Sequence, residues 1–168
     1  MKAVFSFFKK IIKEESKGIS NDMIVSPVDG EVVDVSSVND PVFSSKLIGE
    51  SFALKINGDK VQLCAPCNGQ LSVVFPTGHA YGITMNDGVE VLVHCGINTV
   101  QSNGIGFEIL SKQGTTVQAG TPIIEVDVGT LSKHYDMTTL LIITNSQGKT
   151  FNFLSSSKTI HCGDVITV

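Results

Sequence analysis

The residues best equipped for chemistry in this chain are two histidines in glycine-rich settings. His79 lies in Phe75-Pro76-Thr77-Gly78-His79-Ala80-Tyr81-Gly82, and His94 closes the run Gly88-Val89-Glu90-Val91-Leu92-Val93-His94, ahead of Cys95-Gly96-Ile97-Asn98. A neutral imidazole at the end of an apolar strand can act as a nucleophile, and a second one nearby can stabilise the charge being transferred. Thr77 stands two residues from His79, close enough for its hydroxyl to fix that ring's tautomer. The spacing suits neither a zinc pair on a helix nor a His-x-His pair on a strand, and no Gly-x-Ser-x-Gly elbow marks a serine nucleophile.

The elements that must position these rings are strands. From Met23 onward, short β-type segments alternate with Gly, Pro, Asn and Asp, among them Glu31–Val35, Ser51–Ile56, Gln70–Phe75, Val89–Cys95, Pro122–Val128 and Leu140–Thr144. Leu131–His134 reads as a short helical turn, and Lys149–Thr159 as a Ser-rich loop or edge. The period-2 pattern of Val89–Cys95 puts Val89, Val91, Val93 and Cys95 in the core and turns Glu90, Leu92 and His94 away from it. Gly96 next to His94 leaves room for another molecule to approach.

The chain also repeats itself. Val25–Val35 aligns without gaps on Cys64–Val74, sharing a Pro-x-Asp/Asn-Gly turn that feeds a strand. A second echo pairs Val117–Ile124 with Ile160–Ile166 around a glycine turn. Repeated turn-strand units with no competing helical period predict an all-β fold, a β-sandwich or barrel with internal pseudo-symmetry.

Composition narrows the function. At 168 residues, 42% hydrophobic and 17% charged, the chain can bury a real core in one domain. The net charge is −4, every basic residue is Lys, and no dense cationic patch follows Lys17, which excludes general nucleic-acid binding and guanidinium phosphate clamps. The four cysteines do not form a disulfide framework, and free thiols in a reducing cytosol are expected. Cys64-Ala65-Pro66-Cys67 is a CxxC, but it lies in turn chemistry between strands and lacks the second pair of a zinc site. His134 and His161 read as surface or structural.

Residues 1–20 differ from the rest. Val4, Phe7, Phe8, Ile11 and Ile12 fall on one helical face, with Lys2, Lys9, Lys10 and Lys13 opposite. Such a helix is too short and charged to span a bilayer. Residues 1–17 could lie weakly on anionic lipid, or pack on their own domain or a partner. The expected organisation is this segment and linker over 1–20 and one domain over 21–168.

Phe-Pro-Thr-x-His-Ala-x-Gly at Phe75–Gly82, Asp-Gly-Val-Glu-Val-Leu-Val-His-x-Gly-Ile-x-Thr-Val at Asp87–Val100 and Gly-x-Gly-Phe at Gly104–Phe107 resemble the glucose-type IIA component of the bacterial phosphoenolpyruvate:sugar phosphotransferase system. Ser26–Gly30, Asp40–Ser44 and Gly120–Glu125 support the likeness, which runs from Met23 to the C-terminus with its motif core at about 41–145.

The resemblance implies a β-sandwich of the duplicated hybrid motif type, located in the cytoplasm, with a peripheral contact at the inner membrane face if residues 1–17 bind lipid. His94 would take a phosphoryl group from the phosphohistidine of the carrier HPr and pass it to a cysteine of a IIB domain. His79 would stabilise the phosphoryl oxygens, with Thr77 orienting its ring, and the Gly96 carbonyl would hold Nδ1–H of His94. No cofactor is required. His79 and His94 could share a Zn²⁺ completed by a partner's carboxylate, and phosphorylation-dependent docking on transporters or enzymes is the alternative role.

Val42, Phe43, Phe75 and Leu92 are expected to rim the docking face, with Asp40, Gly96, Asn98 and Asp127 also facing partners. Two departures stand out: Asn98 where the family usually has Asp, and Cys95 where it prefers a larger apolar residue. The first should weaken electrostatic steering rather than chemistry. A zinc endopeptidase of related fold would need a His-x-His pair, and a lipoyl-type carrier a Met-Lys hairpin tip, which neither Lys46 nor Lys60 supplies.

Overall fold

The computed structural model describes residues 23–155 and 158–167, so the expected amphipathic helix lies outside the described residues. Eleven strands follow in order: β1 (Gly30–Val33), β2 (Glu50–Lys55), β3 (Lys60–Cys64), β4 (Gly69–Val74), β5 (Ala80–Thr84), β6 (Glu90–Cys95), β7 (Phe107–Ile109), β8 (Thr116–Val117), β9 (Pro122–Asp127), β10 (Thr138–Asn145) and β11 (Thr159–Ile160). Eight form one antiparallel sheet, ordered β11-β1-β2-β10-β6-β5-β4-β8, and β3-β9-β7 form a second. The main core, with Leu54, Leu63, Leu71, Tyr81, Ile123 and Leu141 all at most 1% exposed, draws on both sheets. This is the expected all-β architecture.

The sequence repeats are hydrogen-bonded to one another as a pseudo-symmetric pair. Val25 N–H donates to the Pro66 carbonyl and Cys64 N–H to that of Pro27, both at 2.8 Å. The glycine turns follow the same rule: Gly163 N–H reaches the Ser26 carbonyl at 2.9 Å and Gly120 N–H that of Ala65 at 2.8 Å. Even the turn side chains match, since Asp29 accepts from Cys162 N–H at 2.7 Å and Asn68 from Ala119 N–H at 2.9 Å. Asp and Asn at the same position of the turn thus do one job, satisfying a backbone donor of the partner turn.

Three local departures from the sequence expectation have capping causes. β1 stops at Val33 because the Asp34 carboxylate accepts from Ser36 N–H at 2.8 Å and starts a 3₁₀ turn at Val35–Ser37. A four-residue helix at Pro41–Ser44 was not anticipated. There Asp40 accepts from Val42 N–H at 2.8 Å and Pro41 takes the first helical position, where no amide donor is needed. The helical turn expected at Leu131–His134 begins upstream, at Val128–Leu131, because Asp127 caps Thr130 N–H at 2.8 Å.

Candidate functional site

β5 and β6 bring the two histidines together through their backbones. Ala80 pairs with His94 in the ladder, and Cys95 N–H donates to the His79 carbonyl at 2.8 Å. The imidazoles meet edge to face, with centroids 5.1 Å apart and planes at 79°. Thr77 Oγ1 lies 2.6 Å from His79 Nδ1, so the ring expected to need orientation has its partner in place. Phe75 flanks His79 at 5.2 Å, and Phe43 covers His94 at 4.9 Å.

The alternation along β6 holds, but facing away from the main core does not mean facing water. Val91, Val93 and Cys95 are at most 1% exposed on the main side. On the other side His94 stands opposite Leu140 of β10, within reach of a second, smaller apolar cluster of Val35, Val38, Phe43, Ala53, Ile97, Leu140 and Ile142. His94 is therefore half-buried and His79 is 6% exposed.

Burial, and secondarily the proximity of His79, push the His94 pKa down to about 4, opposed by the Gly96 carbonyl and the Asp40 carboxylate. Burial lowers His79 as well. Both rings are neutral near pH 7, so each keeps one nitrogen lone pair. Nδ1 of His94 is the buried nitrogen. The Gly96 carbonyl favours the protonated ring, yet among the described residues no acceptor stands in full hydrogen-bond geometry to Nδ1.

Several expected partner-facing residues have other duties. Phe43 is only 7% exposed: it lies against the His94 ring rather than on the rim, because the Pro41–Ser44 helix folds it inward. Gly96 is buried, and its φ of 74° suits glycine. A Cβ there would stand 2.5 Å from the Thr99 methyl, so the room beside His94 is filled by the chain itself. The Asp127 carboxylate is taken up by Thr130, at the end of the second sheet.

Val42 and Phe75 are exposed at 45% and 38%, Leu92 is intermediate, and Asp40 is near enough to act on His94 while capping its helix. Asn98 is exposed with φ 59°, a left-handed conformation that Asn and Asp tolerate better than most residues. Leu140, Ile97 and Ala53 were missed as site residues. Leu140 and Ala53 signal only as members of apolar runs and Ile97 only as an apolar position of the motif after His94, and neither says which face carries the histidine.

A duplicated antiparallel β-fold presenting two abutting neutral imidazoles over an apolar floor is the class these observations define. Residues 22–149 match the family model described as phosphoenolpyruvate-dependent sugar phosphotransferase system, EIIA 1, and the chain belongs to that family. The chain is 35% identical over 162 residues to the glucose-specific EIIA component of Staphylococcus epidermidis, covering 96% of this chain and 92% of that one. It is 39% identical over 147 residues to the glucose-specific EIICBA component of Staphylococcus carnosus, of whose length it spans 22%. Among solved structures, glucose permease IIA from Mycoplasma capricolum superposes with a TM-score of 0.79 at 33% identity, over 86% of this chain and 93% of that one. Among the described residues no helix is long and apolar enough to cross a membrane.

Proposed function

We propose that this chain is a phosphocarrier in which His94 holds the phosphoryl group in transit. The observation that carries the reading is the pair of neutral imidazoles 5.1 Å apart, one of them half-buried with an inward Nδ1. With Nδ1 turned into the protein, Nε2 is left to attack. Its lone pair forms a P–N bond as the donor's phosphohistidine P–N bond breaks, and a thiolate of the acceptor later takes the phosphorus in the same way.

His79 contributes a proton without giving it up. If the Thr77 hydroxyl donates to Nδ1, Nε2–H of His79 points its dipole at the phosphoryl oxygens and stabilises the charge spread over them. Donor and acceptor are HPr and a IIB domain in this reading, and the exposed Val42 and Phe75 give a docked partner apolar area around the site. The same surface supports the second role. Phosphorylation adds a charge of about −2 there and would expel a partner that docks on the apolar rim. A partner's carboxylate could also complete a Zn²⁺ site with His79 and His94, with zinc-dependent pull-down as its check.

The test is phosphorylation by enzyme I, HPr and labelled phosphoenolpyruvate. Acid-labile label is expected on the intact chain and absent from His94→Gln, while His79→Gln accepts the group and passes it on slowly. Label on His94→Gln would overturn the assignment.

A further inference from the structure

The thiols are the reactive groups that phosphoryl transfer leaves unused. Sequence pairs Cys64 with Cys67, but the fold assigns them different neighbours. Cys67 is sealed at 0% exposure, and burial pushes its thiol up to about 12. Cys64 instead meets Cys162, from the far end of the chain.

The backbone fixes this meeting. Cys64 N–H donates to the Pro27 carbonyl at 2.8 Å, and Cys162 Sγ lies 3.6 Å from the same oxygen. The turn carrying Cys162 is pinned beside it by Cys162 N–H on Asp29 at 2.7 Å, by Gly163 N–H on the Ser26 carbonyl at 2.9 Å and by the Val25–Val165 bridge. The proximity of the two thiols lowers Cys162 against burial and the charges of Asp29 and Asp164, and raises Cys64. Cys162 is exposed and Cys64 buried, an arrangement of one thiol open to solvent and one behind it.

The pseudo-symmetric half shows that the backbone does not require sulfur here. Val25 and Ala119 occupy the equivalent positions and make the equivalent backbone hydrogen bonds. The thiol pair is therefore an addition to one of two like turns.

We propose that Cys162 and Cys64 form a peroxide-responsive dithiol that fastens the β11 turn to β3. The Cys162 thiolate attacks a peroxide oxygen, the O–O bond breaks, and a sulfenic acid and hydroxide form, the hydroxide taking a proton to become water. Cys64 sulfur then attacks the sulfenic sulfur. Its proton leaves with the departing hydroxyl as a second water, and the S–S bond forms. Hydrogen peroxide is the two-electron oxidant, and a thiol reductant reverses the bond.

The experiment exposes the full chain to hydrogen peroxide, blocks remaining thiols and maps peptides by non-reducing mass spectrometry. A Cys64–Cys162 linked peptide, lighter by two hydrogens and released by dithiothreitol, is expected, with Cys67 and Cys95 still reduced. In Cys64→Ser, Cys162 should be trapped as a sulfenic acid by a dione probe. In Cys162→Ser, a change at an exposed turn that keeps the test open if the buried variant misfolds, Cys64 should stay reduced. A Cys64–Cys67 bond, a Cys162–Cys162 dimer, or wild-type Cys162 overoxidised without a link would overturn the proposal. So would oxidation of Cys64 in Cys162→Ser.

Discussion

β6 and β10 offer two apolar faces of unequal size, and His94 sits on the smaller. On the larger, Val91, Val93, Leu141 and Ile143 join a core shared with the second sheet. On the smaller, Leu92, Leu140 and Ile142, with Ala53 beside Leu140 in the same sheet, meet a thin cover that includes Phe43. A group on the large face would be sealed, while one on the small face loses most of its water and keeps an open edge. The role proposed for His94 calls for both conditions: desolvation to keep it neutral and access for phosphorus. The difference teaches that a site can be made from an under-covered sheet face without a deep cavity.

Neighbouring leucines of β10 break the comparison most sharply. Leu140 and Leu141 are at most 1% exposed but belong to opposite faces. Each change to Ala should cost about 2–5 kcal/mol in denaturant unfolding. Only Leu140→Ala should also raise the His94 pKa, followed by NMR titration, because it admits water beneath the ring. Equal titrations in both variants would remove the small cluster as the cause.

Acid provides the next largest effect. The folded His94 titrates at about 4 against an ordinary 6.5, so between these values the unfolded chain binds more protons. Stability contributed by the neutral ring is present above about pH 6.5 and lost as pH falls toward 4. The loss is on the order of 3 kcal/mol and should be largely absent from His94→Gln. Urea midpoints measured across that window check it.

Smaller still, Thr77→Val should leave His94 acceptance intact and slow onward transfer by roughly fivefold, the worth of one hydrogen bond of about 1 kcal/mol. Single-turnover transfer to the acceptor would read it. Asn98→Asp should change association with HPr by a few-fold at low salt and hardly at all at high salt, because an exposed rim charge acts mainly through steering. A salt-independent effect would place residue 98 in the chemistry instead.

Much of this was legible along the chain because it is local. The alternation of Val89–Cys95 named the core face, Thr77 and His79 are two residues apart, and the repeated turns announced a duplicated β-fold. The apolar surroundings of His94 were not legible, since Val35, Phe43, Ala53 and Leu140 come from four separate segments and no periodicity joins them. Phe43 illustrates the gap. As a hydrophobic residue in a motif it read as docking rim, whereas the Asp40–Pro41 cap starts a helix that turns it inward. The Cys64–Cys162 meeting was hidden for the same reason: the nearby CxxC partner is obvious in sequence, and the true neighbour requires the closed fold.

The ladder between β5 and β6 has a consequence for how this site can change. His79 and His94 are tied to adjacent strands by the Ala80–His94 pairing and the Cys95 to His79 main-chain bond. Their separation is thus counted in residues, and a slip of one step would shift it by roughly 3.4 Å and turn His94 into the main core. The gap is quantised, with no small moves available to it. Substitution can alter what the two rings do, but the distance between them can only be kept or abandoned.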